Sequence, residues 1–147
     1  MMNHSRYPNA LARITGGADV PGLTGTVKLQ QRRDGTLVTA EITGLPKSAT
    51  GFFAFHIHEG TDCGGEGFAD SKVHFNPAGT EHPNHAGDLP PLLSDSGKAF
   101  MQVLTGRFCV EEVIGRTVII HADPDDFHTQ PSGNAGKKIA CGVIRRA

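Results

Sequence analysis

At 147 residues the chain is bounded to one domain with room for a sizeable core. Its net charge of −1 with histidine neutral gives no bulk attraction for nucleic acid or an anionic membrane surface, and no run approaches the roughly 20 apolar residues of a membrane span. The 19 glycines and 9 prolines follow no repeat period and point to many turns and long loops around short strands.

The opening stretch, MMNHSRYPNALARI, lacks the apolar core of a signal peptide. The expectation is a cytoplasmic protein unless the chain is a trimmed exported form, with residues 1–9 as a flexible N-terminal segment. Residues 10–15 read as a strand, and residues 23–30 alternate apolar and polar side chains as a second. Arg33-Asp34-Gly35-Thr36 predicts a hairpin turn, because Asp-Gly adopts positive φ with little strain. Residues 37–42 follow as a strand that Gly44-Leu45-Pro46 ends, and residues 51–58 form the next. From 59 to 93 apolar periodicity vanishes and Gly, Pro, Asp, Asn and His dominate. A loop of this length in a compact domain is functional or disordered. Strands return at 99–104, 117–121 and 139–144, with a second long loop at 122–138. Six or seven short strands with turn-rich links predict an antiparallel sandwich or barrel.

Eight histidines are the unusual feature, and only His4 and His128 stand apart from the groups that follow. In the run Phe53-Ala-Phe-His-Ile-His58, strand alternation puts Phe53, Phe55 and Ile57 on one face and Ala54, His56 and His58 on the other. One such histidine is a half-buried polar residue; two side by side make a metal a serious rival. His58 adjoins the long loop, which itself carries His74, His82, His85 and Asp88, and His121 ends a strand. Imidazoles with one carboxylate suit tetrahedral zinc, and an all-imidazole set suits copper. Seven candidate ligands are one short of two four-coordinate sites unless one is shared, and imidazole has two nitrogens to share.

Five segments in order carry a resemblance: FAFHIHEG at 53–60, HFNP at 74–77, HAGDL at 85–89, IGRTVIIH at 114–121 and GNAGKKIACGVI at 133–144. The sequence resembles the copper/zinc superoxide dismutases over nearly its whole length. Each motif alone is weak, but all five occur in family order with every ligand position filled. The resemblance implies a single all-β domain over 1–147, an eight-strand antiparallel Greek-key barrel of immunoglobulin-like sandwich type with two long loops. It implies one copper per chain on His56, His58, His74 and His121, and one structural zinc per chain on His74, His82, His85 and Asp88, with His74 bridging. It makes superoxide the small-molecule substrate, O₂ and hydrogen peroxide the products, and His74 a proton source. It leaves a homodimer open.

Further positions follow from the same resemblance. Asp125 matches the carboxylate that links the free nitrogens of His56 and His82; the bland alternative is a solvated acidic turn of Asp123, Asp125 and Asp126. Three cysteines allow at most one bridge, and the default for a cytosolic chain is three free thiols. The resemblance instead pairs Cys63 with Cys141 and leaves Cys109 free. The chain also departs from the family. Lys138 stands where an arginine is expected as the cation that draws in the substrate anion. Only two residues separate His82 from His85, and the loop between His121 and Cys141 is short. A rival from another class is a copper/zinc-binding protein of the same fold without turnover; such relatives typically lose a copper ligand, and none is lost here. A purely structural β-domain would need seven ligand-competent residues in register by chance.

Overall fold

A computed structural model describes residues 7–147. The first six positions of the expected N-terminal segment lie outside the described residues, and Asn9 opens the first strand. Nine strands are described: β1 Asn9–Gly16, β2 Thr24–Arg32, β3 Gly35–Thr43, β4 Phe52–Phe53, β5 Phe55–His58, β6 Leu92–Leu93, β7 Ala99–Thr105, β8 Thr117–His121 and β9 Lys138–Arg146. A 3-10 turn, Glu66–Ser71, and a single helical turn, α1 Val110–Val113, complete the elements. Among the described residues no helix is long and apolar enough to cross a membrane.

Seven strands pair antiparallel in the order β5-β8-β9-β1-β2-β3-β7, and β4 pairs with β6. The small ladder closes the curled sheet into a barrel. β4 runs on into β5 through Ala54, and β6 packs against β7, the opposite edge strand. With β4 and β5 taken as one broken strand, the count is the eight of the expected Greek-key barrel. The break falls at Ala54, whose N–H donates to the Asp123 carbonyl at 3.0 Å while its carbonyl accepts the His121 N–H at 2.9 Å. The chain thereby leaves β6 and turns to pair with β8.

Alternation builds the core. Ala10, Ala12 and Ile14 from β1, Val27 and Leu29 from β2, and Val38, Ala40 and Ile42 from β3 are buried together, with polar neighbours facing out. Phe53, Phe55 and Ile57 join them as expected. The β2–β3 hairpin pairs Arg32 with Gly35, so Arg33 and Asp34 form the two-residue loop, one position earlier than the Asp-Gly tip. Gly35 has φ +146°, and a Cβ there would collide with the Thr105 carbonyl. The neighbouring strand therefore selects the glycine as much as the turn does.

Candidate metal centre

β5 is an edge of the large sheet, and the long loop after it covers that edge. Phe75 N–H donates to the Ile57 carbonyl at 2.8 Å, Ile57 N–H to Gly87 at 2.8 Å and Glu59 N–H to Val73 at 2.7 Å. Gly87 must be glycine, because a Cβ there would meet the Ile57 carbonyl. Isolated bridges align His56 with Asp88 and His58 with His74. Directly opposed residues point to the same face of a sheet, so His74 and Asp88 join His56 and His58 on the outer face of β5. On β8, Ile119 opposes His56 and Thr117 opposes His58, so His121, two residues past Ile119, shares that face. This outer face is not solvent-exposed: loops cover it, and His56 is 0% exposed.

All seven sequence-predicted ligands converge. Ligand atoms of His56, His58, His74 and His121 lie within 4.8 Å of one another, and a second group of His56, His74, His82 and Asp88 meets the same limit. His85 joins the second group, with Nδ1 3.2 Å from His74 Nδ1 and 3.2 Å from Asp88 Oδ2. Asp88 Oδ1 is 2.8 Å from His74 Nδ1, and its Oδ2 is 3.1 Å from His82 Nδ1. His56 and His74 thus stand in both groups, but one ring nitrogen of His56 is taken up by Asp125.

The hydrogen bonds settle where lone pairs are left bare. His58 Nδ1 lies 2.8 Å from the Lys72 carbonyl, which can only accept, so Nδ1 carries the proton and Nε2 does not. His121 Nδ1 faces the Gly136 carbonyl at 3.4 Å in the same sense. The two Nε2 atoms then face each other at 3.3 Å with no proton between them, an arrangement that a cation relieves. Asp125, buried, accepts from His56 Nε2 at 2.8 Å and from His82 Nε2 at 2.7 Å. That leaves His56 Nδ1 and His82 Nδ1 bare. These two atoms and His74 Nε2 are buried without a hydrogen-bond partner. Such orphaned acceptors are rare in folded proteins, and here they aim into the two groups. The donor set therefore fits copper in the all-imidazole group and zinc in the group that includes a carboxylate.

Electrostatics favour the neutral form of His56, His58, His85 and His121. Burial pushes His56 down to about 4, against the bond it donates to Asp125, and His121 down to about 3, with the neighbouring His56 adding to it. Burial also drives His58 far below the ordinary imidazole range, helped by His121 and His74, and it lowers His85. Burial alone would raise the Asp125 and Asp88 carboxyls. The bonds from His56 and His82 to Asp125, and from His74 to Asp88, outweigh it and hold both low.

The copper-type group opens onto a cleft of about 620 Å³ lined by His58, His74, His121, Lys137 and Lys138. The two lysines diverge: Lys137 lies just before β9 and Lys138 opens it. Lys137 Nζ pairs with exposed Asp19 at 2.7 Å. Lys138 Nζ, partly buried, donates to Ser71 Oγ and the Lys72 carbonyl at 2.8 Å each and to the Phe68 carbonyl at 3.4 Å. All three ammonium protons are thus committed. The Lys72 carbonyl serves both Lys138 and His58, and Lys72 reaches this pose with φ +62° and ψ −138°, a sparsely populated region for a side-chain-bearing residue.

Cys63 and Cys141 form a disulfide that ties the long loop to β9, and Cys109 is free and exposed. Sequence reasoning missed the carbonyls of Lys72 and Gly136, since main-chain acceptors leave no mark in side-chain identity. It also missed Gly133, which has φ +76°. A Cβ there would clash with Asp125 Oδ1 and His82 Nε2, so its bare backbone seals the Asp125–His82 bond.

The family model for copper/zinc superoxide dismutase matches residues 23–144. Superoxide dismutase [Cu-Zn] 2 of Aquifex aeolicus is 39% identical over 136 residues, covering 82% of this chain and 78% of its own. Superoxide dismutase [Cu-Zn] of Legionella pneumophila is 35% identical over 133 residues, covering 85% and 80%. The solved Cu/Zn superoxide dismutase from Brucella abortus aligns over 92% of this chain and 98% of its own, with a TM-score of 0.78 and 25% identity. With the family model matched over residues 23–144 and a relative 39% identical, the chain belongs to the copper/zinc superoxide dismutase family.

Proposed function

We propose that this chain disproportionates superoxide through copper held by His56 Nδ1, His58 Nε2, His74 Nε2 and His121 Nε2. His74, His82, His85 and the Asp88 carboxylate would hold zinc. One observation carries the assignment: the unpartnered, buried nitrogens His56 Nδ1, His82 Nδ1 and His74 Nε2, with the facing Nε2 atoms of His58 and His121, converge in two overlapping groups that both contain the His74 ring. When bound, copper supplies the one-electron exchange that turns two superoxide ions and two protons into O₂ and hydrogen peroxide, and zinc supplies a fixed charge and a structural anchor.

The chain's own residues do the rest. Asp125 fixes which nitrogen of His56 and of His82 stays bare, by accepting a proton-bearing Nε2 from each. The Lys72 and Gly136 carbonyls do the same for His58 and His121. His74 Nε2, at the cleft end of the shared ring, can hold a proton for delivery. Lys138 places a positive charge on the cleft wall and draws the substrate anion in. With its three protons committed, it acts by charge and by steadying the Lys72 carbonyl.

Metal content of the purified protein, measured beside superoxide dismutation, tests the reading. About one copper and one zinc per chain with dismutation is the expected result. Both metals bound without turnover would instead support the non-catalytic carrier. A homodimer belongs to the same reading, supported by the exposed apolar side chains Phe52, Leu93 and Phe100. Sedimentation equilibrium giving the mass of one chain at high concentration would count against it.

A further inference from the structure

The stretch from His82 to His85 belongs to no helix or strand, yet it carries two rings whose Nδ1 atoms lie 3.1 and 3.2 Å from Asp88 Oδ2. With only two residues between them, the rings have little slack. Main-chain polar groups in such a stretch need partners from elsewhere, and here every one has a partner. Asn84 N–H donates to the Glu81 carbonyl at 2.7 Å, Thr80 Oγ1 donates to the Asn84 carbonyl at 2.8 Å, and His85 N–H donates to Asp88 Oδ2 at 3.0 Å. Two side chains distant in sequence meet the other four, one of which, the His85 carbonyl, also accepts the Asp88 N–H at 3.0 Å. Gln130 Oε1 accepts the His82 N–H at 2.9 Å, and its Nε2 donates to the His82 carbonyl at 2.7 Å. Arg107 Nη1 donates to the Pro83 carbonyl at 2.7 Å and to the His85 carbonyl at 3.2 Å.

We propose that Gln130 and Arg107 are positioning residues that clamp the backbone of residues 82–85 and preset His82 and His85 to receive zinc. This rests on the assignment of those two histidines as zinc ligands. Gln130 pairs with His82 as one strand residue pairs with another, gripping both main-chain groups. Asp125, from the same loop at 122–138, grips the His82 ring. His82 is therefore fixed from one loop at backbone and side chain together, and its freedom about its own backbone is removed before an ion arrives. Arg107 does the same for the far end of the stretch from the turn after β7. Ligands held in place in advance lose less freedom on binding, and the gain appears as affinity.

The test compares Gln130→Ala, Gln130→Glu, Arg107→Ala and His82→Ala in the full-length protein. Zinc affinity is read by competition with a chromophoric chelator, and ligand geometry by the visible spectrum of Co²⁺ placed in the site. Gln130→Ala and Arg107→Ala should each lower zinc affinity about tenfold, the lower end of the effect of removing a partner outside the ligand set. Each should also alter the Co²⁺ spectrum. Gln130→Glu keeps the acceptor for the His82 N–H and loses the donor to its carbonyl, so it should fall between parent and Gln130→Ala. This variant still decides the matter if the alanine variant does not fold. Parent affinity and parent spectrum in both Gln130 variants and in Arg107→Ala, with zinc lost in His82→Ala, would overturn the clamp. Zinc retained at parent affinity in His82→Ala would overturn the ligand assignment instead.

Discussion

His121→Ala removes one imidazole from the cleft and leaves the Nδ1 atoms around Asp88 in place. The expected outcome is zinc retained near one per chain, copper weakened and dismutation lost, read by metal analysis and activity together. Full activity in this variant would mean the copper ligands are misassigned. Asp125→Asn replaces an acceptor of two N–H groups by an amide with one oxygen and one NH₂. That NH₂ must then face either His56 Nε2–H or His82 Nε2–H, donor against donor. Metal affinity should fall about 10- to 100-fold in a chelator competition, and an unchanged affinity would reduce Asp125 to a turn residue. The adjacent lysines allow a sharper comparison. Lys138 is tied to Ser71 and Lys72 on the cleft wall, whereas Lys137 is paired with Asp19 in the open. Lys138→Glu should lower kcat/KM by roughly tenfold or more, in line with electrostatic steering, and Lys137→Glu by much less. Rates should fall with rising salt in the parent and less so in Lys138→Glu. Equal effects of both changes would make Lys138 ordinary surface charge.

Among the elements, the long loops were the least legible. Residues 59–93 read as one long loop without periodicity, but within them lie a 3-10 turn, β6 and a stretch that rides the open edge of β5. Single main-chain bonds to Ile57 organise that stretch, and they have no periodic signature. The turn α1 went unseen because four residues are too few to show a helical period, although Cys109 N–H donating to Glu112 Oε1 at 2.9 Å marks its start. The strands were legible because each has one buried face, and the misplaced ends lie where β1, β2 and β9 run on beyond their apolar residues. The disulfide closes a separation of 78 residues, which the chain-entropy model values at about 4 to 5 kcal/mol. Reduction should therefore lower the melting temperature and raise hydrogen exchange through residues 60–72. In the unreduced protein Cys109 alone should react with a thiol reagent. A mapped bridge to Cys109 would displace the register of β9.

For the molecule as a whole, the buried imidazoles set the response to acid. In the folded metal-free protein His56 and His121 bind protons only near 4 and 3, whereas in the unfolded chain they do so near the ordinary 6.5. Between these values the unfolded state holds more protons, so stability is full above about 6.5 and is lost as pH falls toward about 3. Protons compete with the ions over the same range, because a ligating nitrogen must be bare. Denaturation midpoints of metal-free protein should therefore fall steadily from pH 7 to pH 4. In the metal-loaded protein, loop protection at 63–93 should fall with zinc release. A flat profile, or unchanged protection once zinc is gone, would remove zinc as the organiser of the loop.

Sequence alone determined the barrel class and the face of β5 that carries His56 and His58, and it supplied the seven candidate ligands. Histidines two apart on an alternating strand must share a side, and the family motifs fill every position in order. It could not determine that His74 and Asp88 lie across from His58 and His56, because those bridges join a loop to an edge strand. Nor could it show which nitrogen of each ring is bare, since that depends on carbonyls of Lys72 and Gly136 and on a carboxylate reaching from another loop. Strand alternation could not tell the two lysines apart, because Lys137 lies before the strand that Lys138 opens. Only the tertiary fold decided that one meets Asp19 and the other the carbonyls behind the cleft. Ligand identity is a property of single side chains and survives in the sequence. Tautomer, clamp and charge placement are set by atoms tens of residues apart, and they exist only once the barrel brings those atoms together.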